Sequence, residues 1–178
     1  MSKQKNSQLV KLILTAVLIA INILLERLPA FKSVSNHISL SIITTAFAAV
    51  YLGIPHTVAL TTVGDILGSI LFPFGAYSPL FTITNAVSGL IIALFLNKKA
   101  TVITIGLGVV VNKLVCTLLL NSLWISLLYQ GGVKAFPVTA LGRVPQAVTM
   151  CVVEIVILMV IFYVKSPVRK QLDKAVKL

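Results

Sequence analysis

The chain has 178 residues, of which 58% are hydrophobic and only 11% charged, and its mean hydropathy is +1.04. A soluble domain carries about 25% charged residues, so the composition excludes a water-covered globule and implies an all-α integral membrane protein, a single domain over residues 1–178. The formal charge of +11 does not point to nucleic acid, because the basic residues gather at the chain ends and turns, where they orient helices in a bilayer.

Six apolar segments read as transmembrane helices: 9–28, 38–54, 57–72, 79–97, 101–129 and 138–164. The first follows Lys3, Lys5 and Lys11. It is long for the apolar part of a signal peptide and lacks a clear small-x-small cleavage site, so it is expected to be retained. Within it, Ala16 and Ala20 lie one turn apart, a spacing that lets another helix approach closely. Leu28 before Pro29 ends it, since the residue preceding proline is pushed out of helical backbone. The second and third spans meet at Gly53-Ile54-Pro55 and are short for a perpendicular crossing, so tilting, breaking or re-entry is expected. Phe72-Pro73-Phe74-Gly75 closes the third, Asn97-Lys98-Lys99 the fourth, and Gln130-Gly131-Gly132 the fifth. Six crossings place both termini on one side with most of the basic residues. Lys32 and Lys134 are the clear loop charges on the other side, so both termini are expected to be cytoplasmic.

A charge at mid-membrane costs at least ~2.5–3.5 kcal/mol and needs a partner or a cavity. Asp65, Lys113, Arg143 and Glu154 are in that position. At 1.5 Å per residue, Lys113 lies roughly 20 Å and Glu154 roughly 15 Å from the cytoplasmic face, so Lys113 can pair with Glu154 or with Asp65. Either reading stays open here, a buried ion pair that fixes packing or a direct ligand contact. Arg143 lies near the outer end of the last span, in "LGRVPQAV". Pro145 either interrupts a helix that reaches back past Leu141 or opens one. In both cases the guanidinium of Arg143 and the amide of Gln146 project near a helix end, suited to a carboxylate or a planar heterocycle; snorkelling to headgroups is the plainer alternative.

In "NSLW", Asn121 and Trp124 share a helical face, which suits a flat ligand as well as it suits core packing. Tyr129 reads as an interfacial anchor. Phe81, Thr82, Thr84 and Asn85 offer a similar mixture of ring and polar groups on the fourth span. Cys116 and Cys151 lie in apolar runs and read as inert small hydrophobes. No P-loop, H-E-x-x-H, G-x-S-x-G, disulfide or metal spacing is present, so neither an enzyme nor a resident cofactor is expected.

The string "GDILGSILFPFGAYSPLFTITNAVSGLI", Gly64 to Ile91, resembles the "GDxLGxxLFPxGxxxPxFTxxxAxSGLI" signature of the substrate-binding S components of energy-coupling factor (ECF) vitamin transporters, most closely the folate family, FolT. "NSLWISLLY" resembles that family's "NTLWLSLLYG", and "ALGRVPQAVTMCVVEIVIL" its "LPxRxxKxxxMxPxExxxL" last helix. The match runs in order from about Leu9 to Val164, departing at His56 and Pro145. The resemblance implies the S-component fold in a bacterial cell membrane, and a site that captures folate from outside. It also implies docking on a shared transmembrane coupling subunit driven by two ATPase subunits, with Ala16 and Ala20 facing that coupling subunit. Tyr77, Phe81 and Trp124 are then expected to stack on the vitamin, and Asn85, Asn121 and Gln146 to read its edges. Arg143 is expected to meet the pterin or a carboxylate; Lys113 lies within the span, and Arg27, Lys32 and Lys134 near the mouth. Asp65 is expected below the aromatic elbow as a structural or docking acid. Two alternatives stand beside this reading: an S component for another vitamin such as pantothenate, and an assembly subunit that binds no ligand.

Overall fold

A computed structural model describes residues 2–27, 32–33, 36–37, 40–73, 78–97, 100–130 and 132–163, with side chains described from Gln8 to Glu26 in the first helix and throughout from Leu40 on. Among the described residues, apart from two two-residue strands, Lys32–Ser33 and Asn36–His37, paired antiparallel, the regular structure is helical. The helices are α1 (Ser2–Arg27), α2 (Ile42–Tyr51), α3 (Ile54–Leu71) and α4 (Pro79–Leu96). A continuous rod, Val102–Tyr129, follows. It comprises α5 (Val102–Asn112), a π-helical stretch (Lys113–Asn121) and α6 (Ser122–Tyr129). A single 3-10 turn then leads into α7 (Phe136–Tyr163).

Local chemistry accounts for the breaks. Gly53 precedes α3 at φ +88°, a conformation a side chain disfavours, and Pro55 follows in the first turn, where its missing N–H costs nothing. Pro79 opens α4 in the same way. Thr101 and Thr104 form a reciprocal cap at the start of α5. Pro145 lies inside α7, so the last helix does reach back past Leu141.

Cross-helix contacts give the direction of each pass. His56 on α3 faces Thr15 on α1, and Gly64 approaches Asn22, so α1 and α3 run parallel with α2 returning between them. Asp65 meets Thr82 and Gly89 meets Thr61, so α4 runs back against α3. Lys113 meets Glu154, and the backbone N–H of Val102 donates to the Tyr163 hydroxyl, so α7 runs back along the Val102–Tyr129 rod. The passes therefore alternate, and the two outermost described residues, Ser2 and Tyr163, point toward the same end.

Among the described residues, five helices are long and apolar enough to cross a membrane. The exception is α2, with 10 residues, about 15 Å at the helical rise; the sequence anticipated a short second span, though not one of half-bilayer length. By contrast α3, also expected to be short, has 18 residues, about 27 Å. Leucine, isoleucine and valine side chains are exposed on the outward faces of α1, α3, the long rod and α7. Water does not reward that surface and lipid does, which makes this a membrane protein. Inside, the core is concentrated at one end: Ile92, Leu96, Ile105, Val109 and Leu158 pack against Ile42 and Ala46 of α2.

Candidate functional site

Beyond that plug the bundle is not filled. A cavity of about 530 Å³ occupies the half nearer the α3–α4 and α6–α7 connections. Every pass contributes to its wall. Its blind end lies one turn beyond the plug, because Asn112 follows Val109 by three residues and Glu154 precedes Leu158 by four. Arg143, Gln146, Met150 and Glu154 all line it from α7. Their spacing of three, four and four residues is that of a single helical face.

The π-helical stretch shapes the opposite wall. Its i→i+5 bonding widens the turn, and the Ser122 hydroxyl donates to the carbonyl five residues back, at Thr117. Lys113, Thr117 and Asn121, four apart, all reach the cavity. Stretches of this kind are frequent at functional sites.

Lys113 Nζ donates to Glu154 Oε1 at 2.6 Å, with the two side chains 15% and 5% exposed. Of the two pairings open to Lys113 in the sequence, the structure adopts the one with Glu154. Asp65 lies elsewhere, outside the cavity lining, where its Oδ2 accepts from the Thr82 hydroxyl at 2.6 Å between α3 and α4. Among the described residues the lining holds two cations, Lys113 and Arg143, and two acids, Glu26 and Glu154, a polar set with no net charge of its own.

Among the described residues, three buried polar atoms here have no hydrogen-bond partner: Asn112 Oδ1, Glu154 Oε2 and Arg143 Nη1. All three belong to lining residues. An unsatisfied buried polar group costs about 1–3 kcal/mol, more when charged. A small molecule bearing two donors and one acceptor relieves all three.

Of the residues singled out in the sequence, Phe81, Asn85, Lys113, Asn121, Arg143 and Gln146 line the cavity. Trp124 does not. Its indole N–H donates to the Thr84 hydroxyl at 3.0 Å, and Thr84 is itself a lining residue. Residues three apart on an α-helix differ by about 60° in direction, enough to put Asn121 in the cavity and Trp124 against α4. Tyr77 and the side chains of Arg27 and Lys32 lie outside what the structure describes. Ala16 and Ala20 are both exposed on α1, among exposed Leu12, Ile13, Val17 and Leu24.

Sequence reasoning passed over Asn22, Glu26 and Asn112, all on the wall. Asn22 is 3% exposed and donates to the Thr44 hydroxyl at 2.7 Å, tying α1 to α2 at the rim. The signal was there: an amide inside an apolar run, such as Asn22 or Asn112, raises the same question as an ionisable group, and Glu26 is an acid at the end of the first apolar run.

Comparison with known proteins finds similarity both in sequence and in fold. The folate transporter FolT of Clostridium novyi (strain NT) is 29% identical over 133 residues, covering 74% of this chain and 77% of that protein. A crystal structure of FolT bound with folic acid superposes with a TM-score of 0.75 at 26% identity, covering 84% of this chain and 90% of the other. No family model matches the chain. In sequence and in fold alike, the chain is thus similar to FolT, the folate-family S component that its motifs resemble.

Proposed function

We propose that the chain is the folate-binding S component of an ECF-type importer in a bacterial cell membrane. It crosses the bilayer six times with both termini cytoplasmic and captures its vitamin from the extracellular side. The observation that carries this reading is the blind cavity with its three unpartnered polar atoms, within a fold similar to a FolT that was crystallised with folic acid. Folate suits such a space: a flat pterin rich in hydrogen-bonding edges, an aminobenzoyl ring, and a glutamate with two carboxylates.

In this reading Asn85, Asn121 and Gln146 read polar edges, Phe81 supplies a ring, and Arg143 and Lys113 supply cationic donors. Trp124 acts through Thr84 by holding the α4 wall. Tyr77 is assigned as a second stacking ring, and Arg27 and Lys32 as further cations for the carboxylates. The exposed Ala16–Ala20 face of α1 docks on the coupling subunit, and two ATPase subunits supply the energy, since the sequence itself has no P-loop.

The test is a thermal-shift screen on the detergent-purified chain with folic acid, pantothenate and other vitamins, together with absorbance of the supernatant after denaturation. Folic acid raises the melting temperature, and a pterin spectrum is released from protein made in folate-replete cells. A shift with pantothenate alone transfers the role to the other vitamin. The absence of any shift favours the assembly subunit.

A further inference from the structure

The apolar residues of α1 do not by themselves say which side should face the bundle. Leu12, Ile13, Val17, Ile21 and Leu24 are exposed, while Leu14, Leu18 and Ile19 pack inward on Ala48, Leu52 and Leu60. Lipid tails are as apolar as leucine, so in a bilayer no hydrophobic force chooses between those faces, and packing and hydrogen bonds are left to do it. Two polar contacts supply the direction. Asn22 donates to the Thr44 hydroxyl of α2 at 2.7 Å, with its side-chain oxygen against Gly64 of α3. Seven residues earlier, the buried Thr15 meets His56 Nδ1, in the first turn of α3, at 3.1 Å. Seven residues are close to two turns, so both anchors lie on one face of α1, about 10 Å apart along its axis. Ala16 and Ala20 fall between them in height and about 100–160° round the helix, on the exposed side. The alanine pair is thus bracketed by the two contacts that fix the rotation of its helix.

The proton arrangement at the first of these contacts is determined. The one hydroxyl proton of Thr15 goes to the Lys11 carbonyl at 2.8 Å. Thr15 can therefore only accept from His56, and the imidazole must carry a proton on Nδ1. The neutral Nδ1–H tautomer and the cationic ring both meet that demand. Neither Thr15 nor His56 lines the cavity, and His56 is a position where the chain departs from the motif it resembles. Resting on the docking reading above, we infer that His56 is a positioning residue for the coupling-subunit interface: through Thr15 it sets the rotation of α1 that turns Ala16 and Ala20 outward. Without the Nδ1–H donor, α1 keeps one of its two polar anchors, Asn22, and the half of the helix that carries the alanines pivots about it. Docking then draws on the fraction of chains whose alanines are in place, and its apparent affinity falls by that fraction.

The experiment varies the donor and the acceptor separately. His56→Asn keeps an N–H on the atom bonded to Cγ, where Nδ1 sits; His56→Gln carries it one bond further out, and His56→Leu has none. Thr15→Val removes the acceptor and Thr15→Ser keeps it. Each purified variant is titrated with folic acid alone, and then with the purified coupling subunit carrying its two ATPase subunits. Folate affinity stays within about twofold of wild type in all of them, since neither residue touches the cavity. Affinity for the coupling subunit falls at least about threefold in His56→Leu, His56→Gln and Thr15→Val, by the loss of docking-competent chains, and stays near wild type in His56→Asn and Thr15→Ser. The double variant His56→Leu with Thr15→Val is no worse than either single one, because both remove the same contact. Equal docking by every variant, His56→Asn no better than His56→Leu, or a loss of folate binding that matches the loss of docking overturns the inference and leaves the docking reading intact. Should His56→Leu fail to fold, Thr15→Val against Thr15→Ser decides the matter in the same way. Wild type that does not bind the coupling subunit overturns the docking reading itself.

Discussion

Removing Lys113 without removing Glu154 should be far worse than removing both. The pair is short, 2.6 Å, and nearly dry, with the side chains 15% and 5% exposed. Lys113→Met leaves the remaining carboxylate without a cation in a membrane interior. Breaking a buried pair in this one-sided way costs about 3–5 kcal/mol, whereas replacing both partners with apolar residues of similar volume is often neutral or stabilising. Against a typical total stability of about 5–15 kcal/mol, the single change takes a large share. Equilibrium unfolding in mixed micelles, without ligand, should therefore show Lys113→Met destabilised by about 3 kcal/mol or more. Lys113→Met with Glu154→Leu should return to within about 1 kcal/mol of wild type, because neither partner is then left behind. Two mild single effects that simply add in the double variant would show that the groups are independently solvated, and would refute the buried pair.

Three further outcomes follow from the packing. Gly89→Ala places a methyl group against the Thr61 side chain, 3.0 Å from Cγ2, and 3.2 Å from the Thr57 carbonyl; it should lower stability by about 1–3 kcal/mol, with part of the loss recovered by adding Thr61→Ala, as read from melting curves. Trp124→Phe keeps a ring but removes the donor to Thr84, so unfolding should show a loss of about 0.5–1.5 kcal/mol. A folate-affinity loss smaller than that of Arg143→Ala is expected in the same variant, since Trp124 acts on the wall and not on the ligand. Gly53→Ala forces a side chain into φ +88°; a drop in stability of about 1 kcal/mol or more is expected in thermal unfolding.

Much of the architecture was readable from chain punctuation. Gly53-Ile54-Pro55, Pro79 and Gly132 mark breaks because proline and glycine restrict or permit backbone conformations regardless of tertiary context, and each lies at a helix boundary in the structure. Pro145 shows the limit of that logic: it interrupts hydrogen bonding yet sits inside α7. Leu141, whose carbonyl loses its usual donor, is exposed on the outward face, and the neighbouring turns carry the helix through. The length of α2 was harder to read, since Ser39, Ser41, Thr44 and Thr45 are scattered through residues 38–54, and Ser41, at the cap position before Ile42, makes no side-chain capping bond that would single it out.

At the site, charges were legible because each ionisable group in an apolar run demands an explanation. Lys113, Arg143 and Glu154 do lie on the cavity wall, whereas Asp65, singled out by the same logic, is held by Thr82 outside it, and Glu26 on the wall was passed over. Two features were not. The π-helical winding over Lys113–Asn121 alters which residues share a face, and no residue in that stretch announces it. The partnership of Trp124 with Thr84 spans 40 residues and depends on how two helices meet, which the spacing within either one does not contain.

The central claim is that the polar half of this bundle is a folate site, and equilibrium titration of the detergent-purified wild-type chain with folic acid tests it most directly. The account predicts saturation at about one folate per chain, undiminished by excess pantothenate and markedly weakened by Arg143→Ala, while Lys134→Ala, on the exposed turn before α7, has little effect. Absence of saturable folate binding by correctly folded protein, or equal losses in the two variants, would contradict it.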